Sequence, residues 1–296
     1  MLIPVDDRAG ELRAEVGVFG GSGFYDFLEG AVDVDVVTPY GPPASPVRVG
    51  TLAGRTVAFV ARHGRTHRFA AHRVPFRANV WALASLGVRS IVAPCSVGSL
   101  QPHLGVGDFV VLDQLVDRTH GRPDTFHDVG APTDPAADGL GHDGPVHHQP
   151  FADPYDESVR RPLVEAGAAL TDTTVHDGGT MVVINGPRFS TRAESRWYSA
   201  MGWDVVNMTG APEAALSREM RMCYTPIALV TDMDAGAESG EGVGQDEVFA
   251  LFKANLERLT TLLSETIAAA PDPEGCGCST WADGVELTYD VPGSPA

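Results

Sequence analysis

The 296-residue sequence contains no apolar run approaching the length of a membrane-spanning helix. Its first residues lack the basic and apolar regions of a secretory signal. Its four cysteines, at 95, 223, 276 and 278, are too sparse for a disulfide scaffold. These absences lead us to expect a cytoplasmic, reducing setting. Basic residues are scarce too: 21 Lys and Arg stand against 39 Asp and Glu, a formal net charge of −18. Neither nucleic acid nor an anionic membrane is the expected partner of so acidic a chain, because both reward basic surfaces. Any anionic substrate needs a local basic pocket. The dinucleotide spacing G-x-G-x-x-G is absent. His120, His127, His142, His147 and His148 lack the tight spacing of a zinc site and read as neutral loop residues.

What is present is a globular composition, 43% hydrophobic and 20% charged, in a chain long enough for a sizeable core. Short apolar, β-branched runs alternate with helical periodicity. Strands are expected at 16–19, 47–52, 56–60, 90–93, 109–112, 180–184, 204–207 and 224–230. Helices are expected at 76–86, at 157–170, from a capping box at Thr191-Arg192-Ala193-Glu194, from a first turn at Pro212, and at 245–269. The last carries an apolar stripe (Val248, Leu251, Phe252, Leu256, Leu259, Leu262, Leu263) that reads as core or subunit interface. This alternation predicts a single α/β domain with a central sheet flanked by helices. We place it at residues 1–270, with a polar, Gly/Pro-rich tail at 271–296 expected to pack loosely or reach a neighbour.

The chemistry-bearing residues cluster where strands end, which is where open α/β sheets bind ligands. Gly20-Gly21-Ser22-Gly23 follows the first strand; such a turn brings backbone N–H groups and a hydroxyl close to a phosphate, though alone it also reads as an ordinary turn. Ala61-Arg62-His63-Gly64-Arg65-Thr66-His67-Arg68 is a basic turn suited to an anion, Arg as a planar fork and His as a donor when protonated. Pro94-Cys95-Ser96-Val97-Gly98-Ser99 reads as a third turn, in which Cys95 is a structural thiol rather than a nucleophile. Asn185 to Phe189 is another. Asp204-Val205-Val206-Asn207-Met208-Thr209 leads into a helix, and the strand after it delivers Asp232 and Asp234, which would point the same way if strand geometry continued.

Six segments in this order resemble one family: Gly20 to Gly23, Ala61 to Arg65, Ser96 to Leu100, Gly186 to Ser190, Val206 to Thr209 and Thr231 to Asp234. The chain resembles the nucleoside phosphorylases of the purine nucleoside and methylthioadenosine type, over nearly its whole length apart from the tail. The resemblance implies a nucleoside phosphorylase-like fold with a mixed sheet. It implies phosphorolysis of a 6-aminopurine nucleoside, 5′-methylthioadenosine, to adenine and 5-methylthioribose 1-phosphate, with phosphate as co-substrate and neither metal nor organic cofactor. It puts phosphate at Ser22, Arg62, His63, Cys95, Ser96 and Thr209. It puts Met208 against the ribose and Phe189 and Val206 around the base. Asp232 becomes the acid at purine N7, and Asp234 the acceptor of the exocyclic amine. His148 matches a histidine lent to a neighbouring subunit's 5′ pocket, in a homotrimer or a hexamer of two trimers. Two departures stand out. Cys95 replaces a usual Thr, Ser or Asn, and Gln245 falls where a small apolar residue should meet the 5′ group, so that adenosine or another 5′ variant is also admissible. The alternatives are a 6-oxopurine or methylthioinosine phosphorylase, or a nucleoside-binding protein without turnover. Cys276-Gly277-Cys278 is similar to paired cysteines near the C-terminus of some thermophile relatives; here free thiols are expected.

Overall fold

A computed structural model describes residues 12–21, 27–127, 146–235, 244–270, 276–289 and 291–292. In chain order its first strands are β1 (Val16–Gly20), β2 (Glu29–Val34), β3 (Val47–Leu52) and β4 (Arg55–Ala61). Helix α1 (Phe76–Ser85) leads to β5 (Ser90–Ser99), β6 (Phe109–Val111) and β7 (Gln114–Arg118). Then come α2 (Glu157–Ala168), β8 (Val175–Asp177), β9 (Thr180–Ile184), α3 (Arg192–Ala200), β10 (Val205–Asn207), α4 (Gly210–Glu219) and β11 (Cys223–Asp232). The chain closes with α5 (Gln245–Ala254), α6 (Leu256–Ala269) and α7 (Gly277–Thr280). No helix among the described residues is long and apolar enough to cross a membrane.

The strands form one mixed sheet whose main path is β2-β3-β4-β1-β5-β10-β9-β7, with β11, β6 and β8 branching from β5. β5 is its axis. One edge of β5 pairs in parallel with β11 from Ser90 to Gly98. The other edge is shared: β1 pairs in parallel with residues 90–92, and β10 pairs antiparallel with Gly98 and Ser99. The carboxyl ends of β1 and β10 therefore point toward each other across residues 93–97 of β5. The unpaired edge between them is a crevice built by strand order, the topological setting expected for a ligand.

Several local expectations are corrected. The stretch 94–99 is strand, not turn. A proline inside it is tolerated because Pro94 faces the unpaired edge, where a missing N–H breaks no ladder bond. The predicted helix at 245–269 is two helices broken at buried Asn255, whose side chain bonds back to the Leu251 carbonyl. Its apolar stripe divides accordingly: Leu259, Leu262 and Leu263 are core on α6, whereas α5 turns Val248 and Phe252 toward the crevice. The tail does not pack loosely where it is described. Cys278 and Tyr289 are buried, Trp281 Nε1 donates to the Arg218 carbonyl, and the Tyr289 hydroxyl donates to the Glu219 carbonyl. The strand geometry of β11 stops at Asp232: Asp234 is left-handed (φ 47°) and its N–H turns back to Asp232 Oδ1 at 2.8 Å. The two carboxylates thus share a turn rather than one face of a strand.

Candidate active site

The crevice opens into a cavity of about 460 Å³, a size suited to a small-molecule ligand. Arg62, His63, Cys95, Ser96, Phe189, Val206, Met208, Thr209, Asp232, Asp234 and Gln245 all line it. Ser22 lies outside the described residues, as does His142; Gly21, at the end of the same turn, reaches the cavity wall. His148 is exposed and is not part of this wall.

The basic end is more constrained than the sequence suggested. Arg62, 2% exposed, grips Glu213 with Nε and Nη2 at 2.8 and 2.9 Å, while Nη1 and Nη2 also reach the carbonyls of Pro94 and Phe19. Burial works against its charge, but the Glu213 carboxylate more than offsets this and raises its pKa above the ordinary value. Four of its five N–H groups are taken among the described residues. One Nη1 hydrogen is left to an anion. The Tyr224 hydroxyl donates to Glu213 as well, completing a buried network.

His63 corrects a second expectation. Its Nδ1 lies 2.8 Å from the Phe69 carbonyl, an acceptor only, so Nδ1 carries the hydrogen. Burial, with Arg62 nearby, lowers its pKa to about 3. The ring is neutral at physiological pH, and Nε2 is an acceptor rather than a cationic donor. Burial pushes the Cys95 thiol up to about 12, consistent with an inert wall residue.

Asn207, quoted in a motif but given no role from sequence, assembles this end. Its Nδ2 donates to the Ser96 carbonyl at 2.9 Å, and its Oδ1 accepts from the N–H groups of Thr209 and Gly210 at 2.7 and 2.8 Å. It ties the end of β10 to the open edge of β5. Because strand residues present N–H and C=O on the same side, the Ser96 N–H faces the crevice too. The Thr209 hydroxyl is only loosely held, 3.2 Å from an Asn207 oxygen that already accepts two N–H groups.

At the acidic end, burial lifts Asp232 to about 6; bonds from Thr231 and the Asp234 N–H oppose the rise, and the Asp234 and Glu247 charges add to it. The Thr231 hydroxyl lies 2.8 Å from Asp232 Oδ2 and 3.2 Å from the Val97 carbonyl. Its single hydrogen serves the carboxylate when Asp232 is ionised and the carbonyl when it is protonated. Asp234, 2% exposed, is also raised by burial, against which the nearby Ser195 and Ser190 hydroxyls and the Ala235 N–H act; even so, its Oδ2 has no well-formed hydrogen bond among the described residues. A buried carboxylate oxygen without a partner is costly, and an N–H donor in the cavity would relieve it. Gly98 makes the turn possible: a Cβ there would sit 2.8 Å from Asp232 Oδ1 and 3.0 Å from Asp234 Cα. Sequence reading assigned no site role to Glu213, Thr231 or Phe249, and Val248 and Phe252, read there as core or subunit interface, also line the cavity.

A cavity with backbone and hydroxyl donors at one end and a proton-holding aspartate at the other suits group transfer from a small polar molecule. The sequence agrees with that class: residues 15–268 match the Phosphorylase superfamily, and the chain belongs to it. It is 49% identical over 286 residues to a purine nucleoside phosphorylase of Streptomyces coelicolor, covering 96% of this chain and all of the relative. It is 51% identical over 278 residues to an S-methyl-5′-thioadenosine phosphorylase of Mycolicibacterium smegmatis, covering 94% of this chain and 99% of the relative. The crystal structure of a methylthioadenosine phosphorylase from an Antarctic soil metagenomic library superposes with a TM-score of 0.80 at 38% identity, over 91% of each chain.

Proposed function

We infer that the chain is a pentosyltransferase that cleaves 5′-methylthioadenosine with inorganic phosphate, releasing adenine and 5-methylthioribose 1-phosphate. The observation that carries the reading is the Asp232–Asp234 turn facing an anion-ready end across one cavity. Relatives that bear this activity in their names support it.

The chemistry follows from where charge develops. Breaking the C–N bond leaves positive charge on the sugar and negative charge on the purine. Phosphate held by the spare Arg62 N–H, the Ser96 N–H and the Thr209 hydroxyl lies ready to stabilise the cation and attack it. The P–O–H of monohydrogen phosphate has an acceptor in His63 Nε2. Asp232, half protonated near pH 6, donates to N7 of the leaving base. The proton that phosphate loses on becoming an ester equals the one the purine gains, so no redox partner is needed. The buried Oδ2 of Asp234, without a well-formed hydrogen bond of its own, accepts the exocyclic amine; a 6-oxo group would bring lone pairs against it. Phe189 and Val206 flank the base, and Met208 packs on the sugar.

Val248, Phe249 and Phe252 give the cavity an apolar side that fits a methylthio group. Gln245, exposed at the start of α5, supports a second reading in which a 5′-hydroxyl is also taken. We further propose a trimer, alone or paired as a hexamer, in which the exposed His148 completes a neighbour's 5′ pocket. Incubating the protein with methylthioadenosine, adenosine and methylthioinosine in parallel, with phosphate, tests the reading through the base released. Adenine from methylthioadenosine is expected. Hypoxanthine from methylthioinosine alone would contradict the role of Asp234.

A further inference from the structure

The cysteines outside the active site converge. Cys223 opens β11, Cys276 and Cys278 bracket the start of α7, and Asp156 is the N-cap of α2. One donor atom from each lies within 4.8 Å of every other, although the residues come from three separate parts of the chain. We propose that Cys223, Cys276, Cys278 and Asp156 form a tetrahedral site for one zinc-class divalent cation that fastens the C-terminal segment to the sheet.

The donor set points to such an ion. Three thiols and one carboxylate are a soft, four-ligand combination of the kind that selects zinc, and a closed set leaves no open position for substrate. Cys223 Sγ and Cys276 Sγ are 3.0 Å apart, and Cys278 Sγ is 3.2 Å from Asp156 Oδ2. A tetrahedron with Zn–S bonds of about 2.3 Å has S···S edges of about 3.8 Å, so side-chain adjustments of under about an ångström seat the ion. A disulfide between two of the cysteines would strand the third thiol and give the carboxylate no role.

The surroundings support the same reading. Cys223 and Cys278 are buried, and Cys276 and Asp156 are partly so. Asp156 Oδ1 accepts the Ser158 N–H at 2.9 Å, which orients the carboxylate and leaves Oδ2 toward the thiols. Binding would release three thiol protons, leaving a site with net charge −2. The segment is also anchored by Arg221, whose guanidinium donates to the carbonyl of Ser279 at 2.6 Å and pairs with Asp283. The cluster sits at the opposite end of β11 from Asp232, roughly 30 Å away by strand rise, so the ion has no part in phosphorolysis. Its work is to hold the segment around Trp281 against α4.

The test uses the full untagged chain, purified reduced from zinc-supplied cells, with metal measured by mass spectrometry. About one zinc per chain is expected, retained in Cys95→Ser and lost in Cys278→Ser. As a control against misfolding of Cys278→Ser, the wild-type protein is also stripped with a chelator and titrated with Co(II). Thiolate-to-cobalt charge transfer with the intense visible bands of tetrahedral cobalt, saturating at one equivalent, is expected. Wild-type protein without zinc, which also gives no cobalt spectrum, overturns the proposal. Intact-mass measurement then separates a disulfide, two mass units lighter, from a plain thiol cluster with four alkylatable cysteines.

Discussion

Asp232→Asn should stabilise the protein while disabling it. In the folded chain burial lifts the carboxyl from its ordinary 3.8 to about 6. Below pH 4 the folded and unfolded states are both protonated and the residue is neutral to stability. Between about pH 4 and pH 6 the unfolded chain gives up its proton while the folded chain holds on, so stability falls as pH rises. Above pH 6 the loss is complete. At about 1.36 kcal/mol for each pH unit separating those two values, it amounts to about 3 kcal/mol. Asparagine removes the buried charge but keeps the bonds, since its oxygen still accepts the Asp234 N–H and its Nδ2 donates to Thr231 Oγ1. Denaturant unfolding of both proteins at pH 4 and pH 8 is the assay. The variant should match wild type at pH 4 and exceed it by up to about 3 kcal/mol at pH 8, with kcat reduced on the order of 10²- to 10⁴-fold. A stability difference independent of pH would refute the reasoning, and near-normal kcat would remove Asp232 as the acid.

Other consequences follow from the same geometry. Because His63 offers a lone pair at Nε2, sulfate, which carries no proton at neutral pH, should inhibit far more weakly than its resemblance to phosphate suggests; inhibition constants comparable to the phosphate KM would contradict a neutral His63. Gly98→Ala should leave the circular dichroism spectrum intact and lower kcat, because its Cβ meets Asp232 Oδ1 at 2.8 Å and displaces the acid. An unchanged kcat would show that the turn tolerates the shift. Glu213→Ala strands the buried Arg62 guanidinium and should cost about 3–5 kcal/mol by denaturant titration; a loss under about 1 kcal/mol would mean water re-enters to solvate Arg62.

What the sequence made legible were features with a local cause. The apolar, β-branched runs ending in Gly21, Arg62, Asn207 and Asp232 read as strands feeding turns, and the Thr191 capping box forms as written, with Thr191 accepting the Glu194 N–H. The fold class followed from their alternation. What stayed hidden depends on partners distant in sequence. Nothing near Glu213 says that it will meet Arg62, 151 residues away. Gly98 looks like any turn glycine until β11 lies beside it in register with Asp232. Pro94 reads as a strand breaker because its open edge exists only once β1 and β10 share one side of β5. The neutral state of His63 is hidden for the same reason: depth of burial and the Phe69 carbonyl are tertiary facts.

The central claim is that phosphate, not water, takes the pentose. Phosphorus NMR of the protein with methylthioadenosine and inorganic phosphate, run beside adenine detection, tests it most directly. The account predicts loss of inorganic phosphate one-for-one with adenine and the appearance of a sugar 1-phosphate resonance. Adenine released at the same rate without any consumption of phosphate would mean hydrolysis, and would contradict the role given to Arg62, His63, Ser96 and Thr209.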